Sequence, residues 1–122
     1  MSQKWEELNK QAIDALMAGS LDKADELSEE AVNAAREEAD ENQLLTCLAN
    51  RSEIQQSMGD FDNAEVTAKE AIDLSRKISG DSEETADLTG SLAVMYAYMG
   101  SYSEAENGYR EELRIREGLS GD

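Results

Sequence analysis

At 122 residues and a formal charge of −17, the chain carries 28 acidic residues against 11 lysines and arginines, no histidine, no proline and one cysteine. Phosphate backbones and anionic lipid repel such a surface, so nucleic-acid and membrane partners are excluded, and Cys47 alone makes no internal disulfide. Neither the opening MSQKWEELNK nor any later run has the apolar length of a leader or of a membrane span of roughly 18 residues, and a soluble, cytoplasmic protein is expected. A basic segment of another protein would be attracted and steered in; the same acidity would equally serve only to keep a helical chain in solution.

Helical periodicity begins with Leu8, Ala12, Ala15 and Leu16 on one face. MAGSLDKAD (17–25) breaks it at Gly19, with Asp22/Asp25 as a loose capping box, and Ala24, Leu27, Ala31 and Ala35 carry a second stripe. After Ala39-Asp40, with Asp40/Gln43 as a start signal, a third helix leads to SMGDFDNAE (57–65). There Asp62/Glu65 opens a helix whose inner stripe is Ala64, Ala68, Ala71, Ile72 and Ser75, closing at ISGD (78–81). Asp81/Glu84 starts the next, with Leu88, Leu92, Met95, Tyr96 and Met99 on one face. YMGSYSEAE (98–106) interrupts it at Gly100, where a positive φ is wanted. Ser103/Glu106 has the form of a capping box for a last helix through Tyr109 and Leu113 to about Leu119, before LSGD (119–122).

The three interruptions are one turn written three times. Gly19, Gly59 and Gly100 are 40 and 41 residues apart, Ala24, Ala64 and Ala105 keep that spacing, and the apolar slot between holds Leu21, Phe61 and Tyr102. ISGD and LSGD repeat at the same offset of 41. Two markers at one period predict a repeat array of helical hairpins. Glycine breaks the first helix of each, the apolar slot plugs the hairpin's open end, and alanine lets the second helix pack closely.

Catalysis finds little to work with. Histidine, the commonest general base and metal ligand, is absent. No strand is evident to carry a phosphate-cradling glycine loop. Glu29-Glu30, Glu37-Glu38, Glu83-Glu84 and Glu111-Glu112 are sequence neighbours, which point about 100° apart on a helix and cannot pinch a hard cation. The expectation is a non-enzyme with no metal site and no cofactor.

Gly-x-aromatic-x-x-Ala at the hairpin, with Leu-Ala-x-x-Tyr (92–96) upstream, resembles the tetratricopeptide repeat, over residues 5–122. The period near 41 and the ISGD/LSGD joints are similar to the long-helix variety in kinesin light chains and Pins-type adaptors. The third repeat matches best, at Leu92, Ala93, Tyr96, Gly100, Tyr102, Ala105 and Tyr109, and departs at Glu112, where the family has a small apolar residue. The resemblance implies an all-α, right-handed superhelical solenoid of three antiparallel hairpins, about six helices, in a single array. The repeats would span about 3–40, 41–81 and 82–122.

It also implies a concave groove, lined by the first helix of each repeat, that takes an extended or helical peptide of another protein. Carried over by repeat position, the groove residues are Asn9, Lys10, Ile13 and Met17 in repeat 1, Ala49, Asn50, Glu53 and Ser57 in repeat 2, and Ser91, Val94 and Tyr98 in repeat 3. Ordinary solvated helix surface is the competing reading of each. The carboxylate clamp of chaperone-binding members is rejected, since only Asn50 of its five positions matches and Asp87 would repel an acidic tail.

Four features stand outside this scheme. Arg51, Ser52 and Gln55 replace the apolar Leu92, Ala93 and Tyr96 of repeat 3, so Arg51 must pair with a neighbouring acid or mark a polar ligand spot. Trp5 is expected to lid the first hairpin, and Cys47 to be a small packed residue. Asp122 falls in the phase of Asp40 and Asp81, where a further repeat would begin, which would leave Tyr109, Leu113 and Leu119 bare. Either the chain is a piece of a longer array or that end docks onto another copy. The leading expectation is a protein-interaction adaptor; the alternative is a self-assembly module working through its array ends.

Overall fold

A computed structural model describes residues 4–38 and 40–121; Ala39 and Asp122, used above as markers of the period, lie outside them. Six helices and no strand occur among the described residues: α1 (Lys4–Met17), α2 (Leu21–Glu38), α3 (Glu41–Ser57), α4 (Phe61–Ser79), α5 (Glu83–Tyr98) and α6 (Tyr102–Leu119). The chain divides into two compact units, with the boundary inside α4 between Thr67 and Ala68.

In the first unit α1 packs on α2, α2 on α3, and α1 touches α3. The stripes read from sequence lie inside: Ala12, Ala24, Ala31 and Ala35 have no exposed surface, so alanine sets how closely these helices cross. Ile54 of α3 is the largest member of a cluster with Ala12 and Ala24, flanked by Ala15, Leu16, Leu27 and Met58. Ser52 donates to the Ala64 carbonyl at 3.3 Å and ties α3 to the start of α4.

In the second unit α5 and α6 form the close pair. Leu92, Ala93, Met95, Tyr96, Ala105 and Ile115 are buried. Gly108 permits the crossing: a Cβ there would come within 2.8 Å of the Ala93 Cβ. Ser75 of α4 and Thr85 of α5 share a buried hydrogen bond of 2.7 Å. The Thr85 hydroxyl donates to the Gly80 carbonyl at 2.7 Å, so its oxygen receives the Ser75 proton.

The repeated turn has a single construction. At Gly100 the φ is +79°; its N–H donates to the Ala97 carbonyl, and the Ser101 N–H reaches back to Tyr96, the paired bonds of a Schellman closure. The same two bonds recur at Gly19 with Ser20 and at Gly59 with Asp60. The residue after each glycine at once begins the next helix, its carbonyl accepting from Ala24, Ala64 or Ala105.

That corrects the capping boxes expected at Asp22/Asp25, Asp62/Glu65 and Ser103/Glu106. The helices start two residues earlier, because the closing residue already stands in the N-cap position. Asp40 caps α3 as expected, accepting from the Gln43 N–H at 3.1 Å. At α5 the cap is Ser82, accepting from the Thr85 N–H at 3.2 Å, and not Asp81, whose carboxylate is held by Arg76 at 2.9 Å and Arg114 at 3.1 Å.

Candidate functional site

The residues expected to line a groove fall on α1 and α3 of the first unit and on α5 of the second. On the first unit the Asn50 Nδ2 group donates to the Asn9 Oδ1 atom at 3.1 Å, across 41 residues of sequence. Asn9 is buried and Asn50 half-buried, so the pair forms a polar floor rather than a projecting feature. Ile13 and Ala49 are half-buried around it, and Lys10, Met17, Glu53 and Ser57 are exposed. On α5, Ser91, Val94 and Tyr98 are exposed. Met17, Ser57 and Tyr98 occupy the same place in their helices, the last residue before the turn, and Met17 and Tyr98 are each 81% exposed.

Arg51 lies on α3 with its guanidinium turned onto α2. Nη1 donates to the Asp25 carbonyl (2.9 Å), the Asp25 carboxylate (3.1 Å) and the Ser28 hydroxyl (2.8 Å), and Nη2 lies 3.6 Å from Glu29. This is the pairing with a neighbouring acid. Cys47 is 1% exposed, and burial, with Glu38 second, pushes its thiol up to about 11. It is a packed residue, unreactive near neutral pH. Trp5 is half-buried at the start of α1.

On the second unit, Asp87 is held by Arg116 at 2.6 Å, and Arg116 also grips Glu112 at 2.9 Å. These two carboxylates, Asp87 foremost, raise the arginine above its ordinary range. A parallel cluster joins Arg114, Glu111, Asp81 and Arg76; hydrogen bonding from Arg114, then Arg76, holds the Glu111 carboxyl below the usual range. Among the described residues no group of three or more His, Cys, Asp or Glu could hold a metal ion, and no helix is long and apolar enough to cross a membrane.

Two overlapping segments, 7–77 and 49–118, match the family model of the tetratricopeptide repeat. The chain belongs to the tetratricopeptide repeat family. Its fold is similar to the TPR domain of Arabidopsis FLU, with a TM-score of 0.82 at 19% identity, over 97% of this chain and 96% of that one. It is also similar to BtubC (BKLC) from P. vanneervenii, with a TM-score of 0.78 at 24% identity, over 95% of this chain and 47% of that one. At such identities the likeness is one of fold. No curated protein matches the sequence.

Tetratricopeptide repeat domains generally mediate protein–protein interaction and are typically non-enzymatic scaffolds. The family pattern also explains Glu112. Where a small apolar residue is usual, this carboxylate lies over Gly90, and a Cβ at Gly90 would meet the Glu112 Oε1 atom at 2.5 Å. Glycine on α5 makes the room that glutamate on α6 takes up. Sequence reading missed this pair, because neither residue is unusual until the helices are packed. The Asn9–Asn50 bond did leave a signal, the identity of the two residues one period apart.

Proposed function

We propose that this tetratricopeptide repeat chain is an adaptor that binds segments of another protein on the exposed helix faces of its units, α1 and α3 in the first and α5 in the second. The observation that carries this reading is the exposure of Met17 on the first unit and of Tyr98 on the second, each the last residue of its helix, since large exposed apolar side chains are the usual anchors of peptide recognition. On the first unit, Lys10, Glu53 and Ser57 supply polar contacts around the Asn9–Asn50 floor. On α5, Ser91 and Val94 accompany Tyr98.

The formal charge of −17 favours a basic segment, whose approach it would accelerate. Panning a random peptide library against the purified protein tests the reading. Enriched peptides are expected to carry Lys or Arg beside an apolar anchor, and to bind less tightly as salt rises. Met17→Ser and Tyr98→Ser should each weaken the selected peptides about tenfold. Selected peptides that bind both variants unchanged would refute the assignment.

A further inference from the structure

We propose that Met17 is a redox-modification site, at which hydrogen peroxide converts the thioether to a sulfoxide in the folded protein and releases the segment held by the first unit. This control of binding rests on the adaptor role proposed above. Among the described residues, sulfur occurs at Met17, Cys47, Met58, Met95 and Met99. Cys47 is 1% exposed and Met95 has no exposed surface. Burial also pushes the Cys47 thiol up to about 11, so the thiolate that peroxide attacks is nearly absent at neutral pH. Met58 packs against the cluster of Ala12, Ala24 and Ile54, and Met99 is half-buried. Met17, the last residue of α1, is 81% exposed. Oxidation follows access, and of these sulfurs Met17 alone stands open to an oxidant.

The reaction is a two-electron oxygen transfer. The Met17 sulfur attacks the peroxide, the O–O bond breaks, an S–O bond forms, and the second oxygen leaves as water. A flexible apolar side chain becomes a polar one. Pressed against an apolar partner surface, the new oxygen gives up hydrogen bonds to water that the partner does not return. The fold bears no comparable cost, because Met17 stands in solvent in the free protein. The second unit supplies the contrast. Tyr98 is equally exposed, at 81%, and carries no sulfur, so segments held there should not respond.

Two sets of library-selected peptides test this, those weakened by Met17→Ser and those weakened by Tyr98→Ser. The full chain is titrated with hydrogen peroxide, and the oxygen gained at each methionine is mapped by mass spectrometry. Met17 should be converted before Met58, Met95 and Met99, with the helical circular dichroism unchanged. Affinity for the first set should fall about tenfold as Met17 is converted, and methionine sulfoxide reductases with a dithiol should restore it. The second set should hold its affinity. Met17→Gln, with a polar group on a stem of similar length, should bind the first set as weakly as the oxidised chain. Met17→Leu lacks the sulfur, so its affinity, at whatever level it stands, should not move with peroxide. Conversion of Met58 or Met99 ahead of Met17 overturns the proposal, as does an affinity unchanged once Met17 is oxidised. An equal loss in Met17→Leu overturns it too, by moving the effect to another residue, Met1 included. If no selected peptide is weakened by Met17→Ser, the binding role of the first unit falls, and this control with it, before any oxidant is added.

Discussion

Gln55 lies in the interior of α3, 4% exposed, and its Oε1 atom has no hydrogen-bond partner. Its relatives in burial are better served: Ser75, Thr85, Ser52 and Thr89 each place a hydroxyl on a partner. An unmet buried carbonyl costs about 1–3 kcal/mol. Methionine matches the length and flexibility of glutamine without the polar atom. Gln55→Met is therefore expected to stabilise the protein by about 1 kcal/mol, read as a higher urea midpoint at unchanged slope. A lower midpoint would mean that the amide has a use the packing does not reveal. Arg51, one turn away on the same helix, is the opposite case. Its four contacts on Asp25, Ser28 and Glu29 make a charge tolerable at 16% side-chain exposure.

At the scale of elements, the α5–α6 crossing rests on Gly108. Alanine would normally gain about 1 kcal/mol over glycine in a helix. Here the new methyl would sit 2.8 Å from the Ala93 Cβ, an atom with no rotamer to escape into, and overpacking of this kind costs about 1–3 kcal/mol. Gly108→Ala is expected to lower stability in chemical denaturation, against its helix propensity, and Ala93→Gly in the same chain should recover part of the loss. The helices themselves were legible because their signals are local. Apolar spacing along Leu92, Met95 and Tyr96 and a glycine able to take a positive φ need no knowledge of neighbours. Helix starts were misread by two residues, since a Ser or Asp followed three places on by an acid looks like a cap whether or not the chain has already turned. Pairings between helices, such as Gly90 with Glu112, exist only once the crossing is made. The candidate face was legible only in part: Asn9 and Met17 share a helix and a repeat, yet one is buried beside Asn50 and the other stands free.

For the molecule as a whole, the excess of acid is the strongest influence outside the core. Self-repulsion at a formal charge of −17 opposes compactness, and the ion pairs among Arg76, Arg114, Glu111 and Asp81 offset it only locally. Screening reaches about 10 Å at 0.1 M salt, so added salt should relieve the repulsion more than it weakens these short contacts. The thermal midpoint is expected to rise from low salt to about 0.2 M NaCl, and a fall would show that the arginine contacts dominate instead. The turn geometry carries a last implication for how such a chain can vary. In each elbow one residue, Ser20, Asp60 or Ser101, both finishes the outgoing rod and launches the returning one. The elbow thus has no spare link. One added amino acid there would divide the two duties and swing the returning rod by about 100°, turning its greasy side to water.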